Sequence, residues 1–246
     1  MGRSKRRMLK IKNTSLWQCD LTLQDYLYFA TVTRGRMIET GQFIHNYSLT
    51  YALGWARSEW RQERKEPLYA EQLGNVKGIY VTPARLLTEN HTIVPYRAET
   101  ESYASSAVPD SNPRSYRTIK CFGPGSVFRF YILTRSDLDK IPPLIRLGKY
   151  MAKAEIAKQR PVELEIVEGN YTASTLLNWD DIAVRPILCD VIVYALPGRL
   201  IENARFSGTR YLRAKFASGE EEVRLPLEMG YLRKELCSSW WDEDAA

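Results

Sequence analysis

The chain has 246 residues, a formal net charge of +6 and a sequence pI of about 9.1. Its residues are 44% hydrophobic and 26% charged, a balance that supports a packed core and excludes global disorder. No apolar run is long enough for a membrane span, and no secretory-signal pattern follows the basic start. We expect a cytoplasmic protein without membrane contact, with a basic flexible arm at 1–14, one domain at 15–230 and a tail at 231–246.

Metal and cofactor chemistry has no support in the sequence. The four cysteines lie too far apart for a zinc motif: Cys19, Cys121, Cys189 and Cys237. The chain contains no P-loop, no Gly-x-Gly-x-x-Gly turn and no Gly-x-Ser-x-Gly elbow. Only two histidines, His45 and His91, are available for acid–base catalysis, and neither has an obvious partner. We therefore expect no metal, no cofactor and no enzymatic activity.

The first half of the chain predicts strands around one helix. Leu16–Leu23 alternates as a strand, and 78–81 is a short strand closed by Thr-Pro. Between them, Phe43–Trp60 carries apolar residues at helical spacing, with His45 or Asn46 as the N-cap. Gly54 falls inside this predicted helix, where glycine costs roughly 1 kcal/mol relative to alanine, so we expect a close packing contact there.

The middle of the chain alternates between irregular and strongly β-prone sequence. Residues 88–120 are rich in proline, serine and threonine and predict a projecting loop or hairpin that is poorly packed on its own core. A tight turn at 122–126 then leads into a central strand at 127–133. Residues 146–156 are compatible with a helix or an extended strand, and we prefer the extended form, paired as a hairpin with 162–167, because Pro161 follows.

The C-terminal part predicts further short elements. A short helix is expected at 173–182, with the Asp180-Asp181 pair as a helix-terminal charge. The most apolar strand candidate is 187–196, and 209–216 with 222–227 reads as a second hairpin.

Cations, aromatic residues and glycines recur together in three stretches, a combination typical of RNA-binding surfaces. Phosphate contacts use arginine and lysine, unpaired bases stack on aromatic rings, and Gly148 would let backbone approach RNA. For Tyr150 a core position is an open alternative, because strand aromatics are usually buried. The candidate RNA-binding residues are Arg34, Arg36, Arg114, Arg117, Arg146, Lys149, Tyr150 and Lys153.

Four stretches carry a family resemblance: IHNYSLTYALGWA at 44–56, GIYVTPAR at 78–85, KCFGPGS at 120–126 and RLGKYMAKAEI at 146–156. Over about 16–227 the chain resembles the CRISPR-associated RAMP protein of subtype I-D Cascade complexes, the Cas-five-type subunit also called Csc-one. The resemblance implies an α+β fold with a ferredoxin-like or RRM-like core, whose first crossover helix is 44–60. It also implies a protruding β-hairpin thumb near 88–120 and a smaller C-terminal β-region near 187–230.

The resemblance further implies a non-catalytic role in antiviral defence. Such subunits bind the 5′ handle of CRISPR RNA, cap the filament of backbone subunits and contact the large subunit. They lie near the site where the protospacer-adjacent motif of target DNA is read. Two alternatives stay open: a metal-independent endoribonuclease that matures CRISPR RNA with His45 or His91 as base, and an RNA-free assembly subunit.

Overall fold

The computed structural model describes residues 7–8, 15–34, 36–58, 68–98, 115–135, 141–193, 198–217 and 222–241. In chain order the strands are β1 (Arg7–Met8), β2 (Ser15–Leu23), β3 (Val32–Arg34), β4 (Met37–Glu39), β5 (Phe43–Ile44), β6 (Ile79–Val81), β7 (Ala84–Thr88), β8 (His91–Ala98), β9 (Ser115–Phe122), β10 (Val127–Thr134), β11 (Leu144–Leu147), β12 (Ala152–Gln159), β13 (Glu163–Thr172), β14 (Leu177–Asn178), β15 (Leu188–Ile192), β16 (Leu200–Lys215) and β17 (Val223–Pro226). The helices are α1 (Asn46–Ala52), α2 (Tyr69–Gln72) and α3 (Ser238–Trp241), with a 3-10 turn at Tyr231–Arg233. The fold is mostly β, with less helix than the expected α+β class implies.

A seven-stranded sheet, here called the central sheet, has the order β11-β12-β2-β10-β7-β5, and β6 also pairs with β10. Its neighbouring strands are all antiparallel. The predicted strands at 16–23, 78–81 and 127–133 are confirmed as β2, β6 and β10. Strand β2 is buried on both faces: Leu16 belongs to one core cluster and Cys19 and Leu21 to another. The central sheet therefore separates the two main cores.

A six-stranded sheet has the order β1-β13-β16-β14, with β15 and β17 along the other side of β16. The predicted pairing of β16 with β17 is confirmed. The predicted hairpin between 146–156 and 162–167 is wrong, because β12 pairs with β2 while β13 pairs with β16. The helix expected at 173–182 is also wrong: β14 lies there and pairs with β16, which leaves Leu177 fully buried.

A four-stranded sheet, here called the small sheet, has the order β3-β4-β9-β8. Strands β8 and β9 form a hairpin from His91↔Phe122 to Ala98↔Ser115. Their connection at 99–114 lies outside the described residues. Contrary to the expectation of poor packing, Ile119 and Cys121 are buried against Tyr28 and Ile38. The base of this hairpin is therefore a packed part of the fold.

Helix α1 is much shorter than the predicted 43–60 segment. His45 is its N-cap, as predicted, and its side chain accepts a hydrogen bond from the Tyr47 amide. The helix ends at Leu53, and Gly54 follows with φ of +80°. A Cβ built on Gly54 would meet nothing within 4 Å, so the expected close contact in a helix interior is wrong. Gly54 instead supplies the left-handed conformation that ends many helices.

Among the described residues, no helix has the length and apolarity needed to span a membrane.

Candidate nucleic-acid interface

Strands β11 and β12 form a hairpin that carries four of the eight predicted RNA-binding residues in its turn and the adjoining strand ends. We call residues 146–153 the hairpin tip. Ile145, Leu147, Ala152 and Ala154 are buried, so the alternate positions face outward. Arg146 and Lys153 stand directly opposite each other in the ladder, and both are exposed. The hairpin therefore projects two cations from neighbouring strands on one face.

The turn at 148–151 is not extended, and this corrects the prediction of one continuous extended segment. Gly148 has φ of +71° and Met151 has φ of +54°. The Arg146 guanidinium donates to the Met151 carbonyl over 3.2 Å, which ties the strand end to the turn. Because the chain reverses here, the strand alternation that would place Lys149, Met151 and Lys153 on one face does not apply.

Tyr28 anchors the hairpin tip. The Lys149 amide donates to the Tyr28 carbonyl at 2.9 Å, and the rings of Tyr28 and Tyr150 lie 5.2 Å apart. The Lys149 ammonium lies 5.8 Å from the Tyr28 ring centroid. A Cβ on Gly148 would lie 2.7 Å from the Tyr28 oxygen. Gly148 thus allows close approach to the protein's own backbone, and its contact with RNA stays a prediction.

The side chains of the tip are accessible. Tyr150 is 44% exposed and Met151 56% exposed, so the alternative of a core position for Tyr150 is wrong. Lys149 is also exposed. A half-exposed aromatic ring beside cations offers one stacking face and several phosphate contacts. The sequence did not identify Tyr28, whose role depends on a contact with a distant segment.

The other predicted residues belong to the small sheet and its surroundings. Arg34 makes an ion pair with Glu39 at 3.3 Å, and Arg36 is exposed. Arg117 lies in β9 opposite Tyr96. Arg114 lies outside the described residues. Tyr28 packs against the core of the small sheet, so the hairpin tip adjoins that sheet.

The two histidines lie in different surroundings. His45 is buried, and its Nδ1 accepts a hydrogen bond from the Tyr47 backbone N–H. Burial lowers the pKa of His45 to about 4. The nearby Gly198 carbonyl opposes this shift in pKa only in part. His91 is exposed and lies 2.9 Å from Glu89. Within the described part of the chain, no group of three or more His, Cys, Asp or Glu side chains could hold a metal ion.

Asp181 is a buried structural acceptor, so its assignment as a helix-terminal charge is wrong. It accepts hydrogen bonds from the side chains of Asn46, Tyr47 and Tyr80 and from the Leu232 amide, at 2.7–3.2 Å. Burial raises the pKa of Asp181 to about 6, and these hydrogen bonds oppose that rise. The carboxylate joins α1 to the central sheet and to the C-terminal 3-10 turn.

Strand β15 forms an apolar edge of the six-stranded sheet. The predicted strand at 187–196 is confirmed over 188–192, but its side chains are not core residues. Ile187 and Val193 are 73% and 75% exposed, and Leu188 and Val191 are at least half exposed. Contiguous exposed apolar surface of this kind often marks a contact with another molecule.

Comparison with known proteins gives one family and a distant structural likeness. Among solved structures, a chain of "Cryo-EM structure of the Type III-B Cmr-beta bound to cognate target RNA and AMPPnP, state 1" is similar at a TM-score of 0.43 and 10% identity. The similarity covers 78% of this chain and 86% of that chain. No curated protein matches the sequence. The family described as "Type I-D CRISPR-associated protein Cas5/Csc1" matches residues 14–234, and the chain therefore belongs to that family.

Proposed function

We propose that the chain is a non-catalytic subunit of a type I-D Cascade complex that binds the 5′ handle of CRISPR RNA. The observation that carries this proposal is the hairpin tip, where an exposed Tyr150 lies among Arg146, Lys149 and Lys153. The stacking face and the cations suit single-stranded RNA, which is bound through unpaired bases and phosphates. Membership of the Cas5/Csc1 family supports the same role.

The strand order supports a ferredoxin-like core. The central sheet contains the antiparallel order β12-β2-β10-β7, which corresponds to order 4-1-3-2 in a βαββαβ unit. On this assignment α1 is the first crossover helix. In the described part of the second crossover, strand β11 takes the place of a helix. The β8–β9 hairpin is then the base of the proposed thumb.

The apolar β15 edge supports contacts with other protein subunits. It exposes Leu188 and Val191 of β15 together with Ile187 and Val193, which flank the strand, and β15 pairs on its other side with β16. Long exposed edges invite pairing with another chain. We assign this edge to assembly with the backbone or large subunit. That assembly would place the protein near the protospacer-adjacent motif of target DNA.

The decisive experiment is purification of this chain together with the proteins encoded beside it, followed by sequencing of the bound RNA. We expect short RNAs with one defined 5′ end, protected by the complex. A complex without RNA would instead support an RNA-free assembly subunit. To test the nuclease alternative, labelled repeat RNA is incubated with the isolated chain, the complex and the His45→Ala and His91→Ala variants. Specific cleavage by the parent that one of these variants loses would overturn the non-catalytic assignment.

A further inference from the structure

A groove of about 610 Å³ opens where the three sheets meet, and none of the hairpin-tip residues lines it. One wall comes from the small sheet, a second from β5 and β7 of the central sheet, and a third from β15 and β16. The groove is open to solvent along one side and has a mixed polar and apolar lining. Its size and position suit one unit of a longer chain passing over the protein.

Cations reach the groove from two of its walls. Arg34 and Lys120 come from the small sheet, and Arg85 comes from β7. Arg34 is already paired with Glu39. In the part of the chain that the structure describes, neither Arg85 nor Lys120 takes part in an ion pair. Two unpaired cations from different sheets that line the same groove are suited to one shared anion such as a phosphate.

Phe43 supplies an aromatic surface in the same groove. Register places it directly opposite Arg85 in the β5–β7 pair, and its ring is partly exposed. A Cβ on Gly41 would lie 2.7 Å from the Phe43 ring, so the absence of a side chain at Gly41 lets this ring pack against the backbone on one side. Aromatic rings that stand beside cations are the usual stacking platforms for unpaired bases.

The acidic residues of the groove favour a nucleotide over a bare phosphate. Glu39 forms an ion pair with Arg34 and Glu89 lies 2.9 Å from His91, whereas Glu202 makes no ion pair within the described residues. A lone carboxylate repels a simple anion, but it accepts hydrogen bonds from the amino and imino groups of a base edge. The cations suit the phosphate of a nucleotide, the Phe43 ring suits the face of its base, and the carboxylate suits the edge of the base.

We propose that this groove holds one unpaired nucleotide of single-stranded RNA, with Arg85 and Lys120 on its phosphate and Phe43 against its base. The inference rests on the proposed function, because it takes CRISPR RNA as the ligand. It adds a second contact point, distinct from the hairpin tip, and so gives the RNA a path along the small sheet between them.

The first test compares RNA binding by three double variants of the full chain. The groove pair is Arg85→Ala with Lys120→Ala, the tip pair is Lys149→Ala with Lys153→Ala, and the control pair is Lys77→Ala with Lys215→Ala. The control removes the same charge at exposed positions outside both surfaces. The probe is the RNA released from the purified complex, titrated at several salt concentrations. We expect the groove pair to lower the salt slope of binding by about 0.7, because both cations contact the same phosphate and each lost phosphate contact removes about 0.7 for a single strand.

The second test maps the base contact. RNA containing 4-thiouridine is crosslinked within the complex, and the attached peptide is identified by mass spectrometry. We expect an adduct on a peptide containing Phe43, and we expect Phe43→Leu to weaken binding by about tenfold while keeping an apolar side chain.

The outcomes separate this inference from the proposed function. If the groove pair binds RNA like the control pair while the tip pair is weakened, the groove inference is overturned and the proposed function stands. If the groove pair keeps the parent salt slope but loses a protein subunit from the complex, the groove is a protein interface and the inference fails. If the parent complex carries no RNA, both fail.

Discussion

The ring of Tyr150 packs against the ring of Tyr28, with centroids 5.2 Å apart and planes tilted by 38°. Tyr28 also lies in the core of the small sheet, beside Ile38 and Ile119. A single tyrosine thus links the hairpin tip to the sheet that carries the β8–β9 hairpin. The backbone of the tip is therefore held in place, and this would lower the ordering cost of the RNA binding proposed above.

Gly148→Ala should release the hairpin tip from Tyr28. Alanine would be strained by about 1–2 kcal/mol at φ of +71°, and its Cβ would also meet the Tyr28 carbonyl at 2.7 Å. Gly125→Ala is the matched control, since Gly125 has φ of +84° with nothing within 4 Å of its Cβ position. Thermal unfolding should show a larger loss for Gly148→Ala. Equal losses of thermal stability in the two variants would mean that the tip shifts away from the Tyr28 carbonyl without a cost in stability.

Substitutions of Gly54 test its corrected role at the end of α1. With φ of +80° and open space around it, Gly54→Ala should cost about 1–2 kcal/mol from backbone strain alone. Gly54→Asn should cost less, because asparagine tolerates the left-handed region better than alanine. A close-packing role predicts the opposite order, with the larger asparagine worse, so chemical denaturation of the two variants distinguishes the explanations.

His45→Asn should remove a pH dependence of folding while keeping the helix cap. The pKa of His45 is about 4 in the folded protein, below the value near 6.5 of the unfolded chain. The unfolded state therefore binds the proton first, and stability falls as pH drops from about 6.5 to 4, by a total on the order of 3 kcal/mol. Asparagine caps helices well but does not titrate.

Urea unfolding of parent and His45→Asn between pH 4 and 7 checks this prediction. The difference in unfolding free energy between them should change with pH in that window, with the parent losing relative stability on acidification. A constant difference would show that His45 keeps its ordinary pKa in the fold.

The titration of Asp181 should change folding stability with pH in the direction opposite to that of His45, over an overlapping pH range. Its folded pKa of about 6 lies above the ordinary value of 3.8, so the folded state holds the proton more tightly. The stability that this proton binding contributes is complete below about pH 4 and is lost as pH rises through about 6. As pH rises from 4 to 7, the parent should therefore lose this contribution while Asp181→Asn does not, so the stability of the variant relative to the parent should increase. A pH-independent difference between them would contradict the raised pKa.

Removal of the Asp181 side chain tests the buried network itself. Asp181→Ala would leave the Asn46 amide and the Leu232 N–H without an acceptor, at about 1–3 kcal/mol for each unsatisfied group. We expect a large fall in melting temperature. Asp180→Ala is the control, because the neighbouring residue is only partly buried. Equal effects of the two substitutions would mean that the network contributes little.

The sequence predicted strands better than it predicted their partners. Alternation located β2 and β10, since it depends on short-range geometry that is the same in any sheet. The alternation of 162–167 was equally clear, yet it could not show that β13 pairs with β16 instead of β12. Apolar content likewise does not determine burial: β15 reads as a core strand but lies exposed at an edge.

Residue type alone found part of the candidate interface. Cations and Tyr150 in the hairpin tip were recognisable because phosphate and base contacts need these side chains. The groove residues Phe43 and Arg85 were not, because β5 and β7 meet only through tertiary packing. Tyr28 was missed for the same reason.

The most direct prediction concerns the tip lysines. Lys149 and Lys153 are exposed, and Arg146 beside them is tied to the Met151 carbonyl. The double change Lys149→Ala, Lys153→Ala should leave the melting temperature unchanged but lower the salt slope of handle binding by about 1.4, and the loss should be similar for every RNA sequence. Tyr150→Leu, in contrast, should weaken binding with little change in salt slope, because stacking releases no counterions. Filter binding at several salt concentrations separates the two effects. If the double variant keeps both the affinity and the slope of the parent, the tip is not an RNA contact.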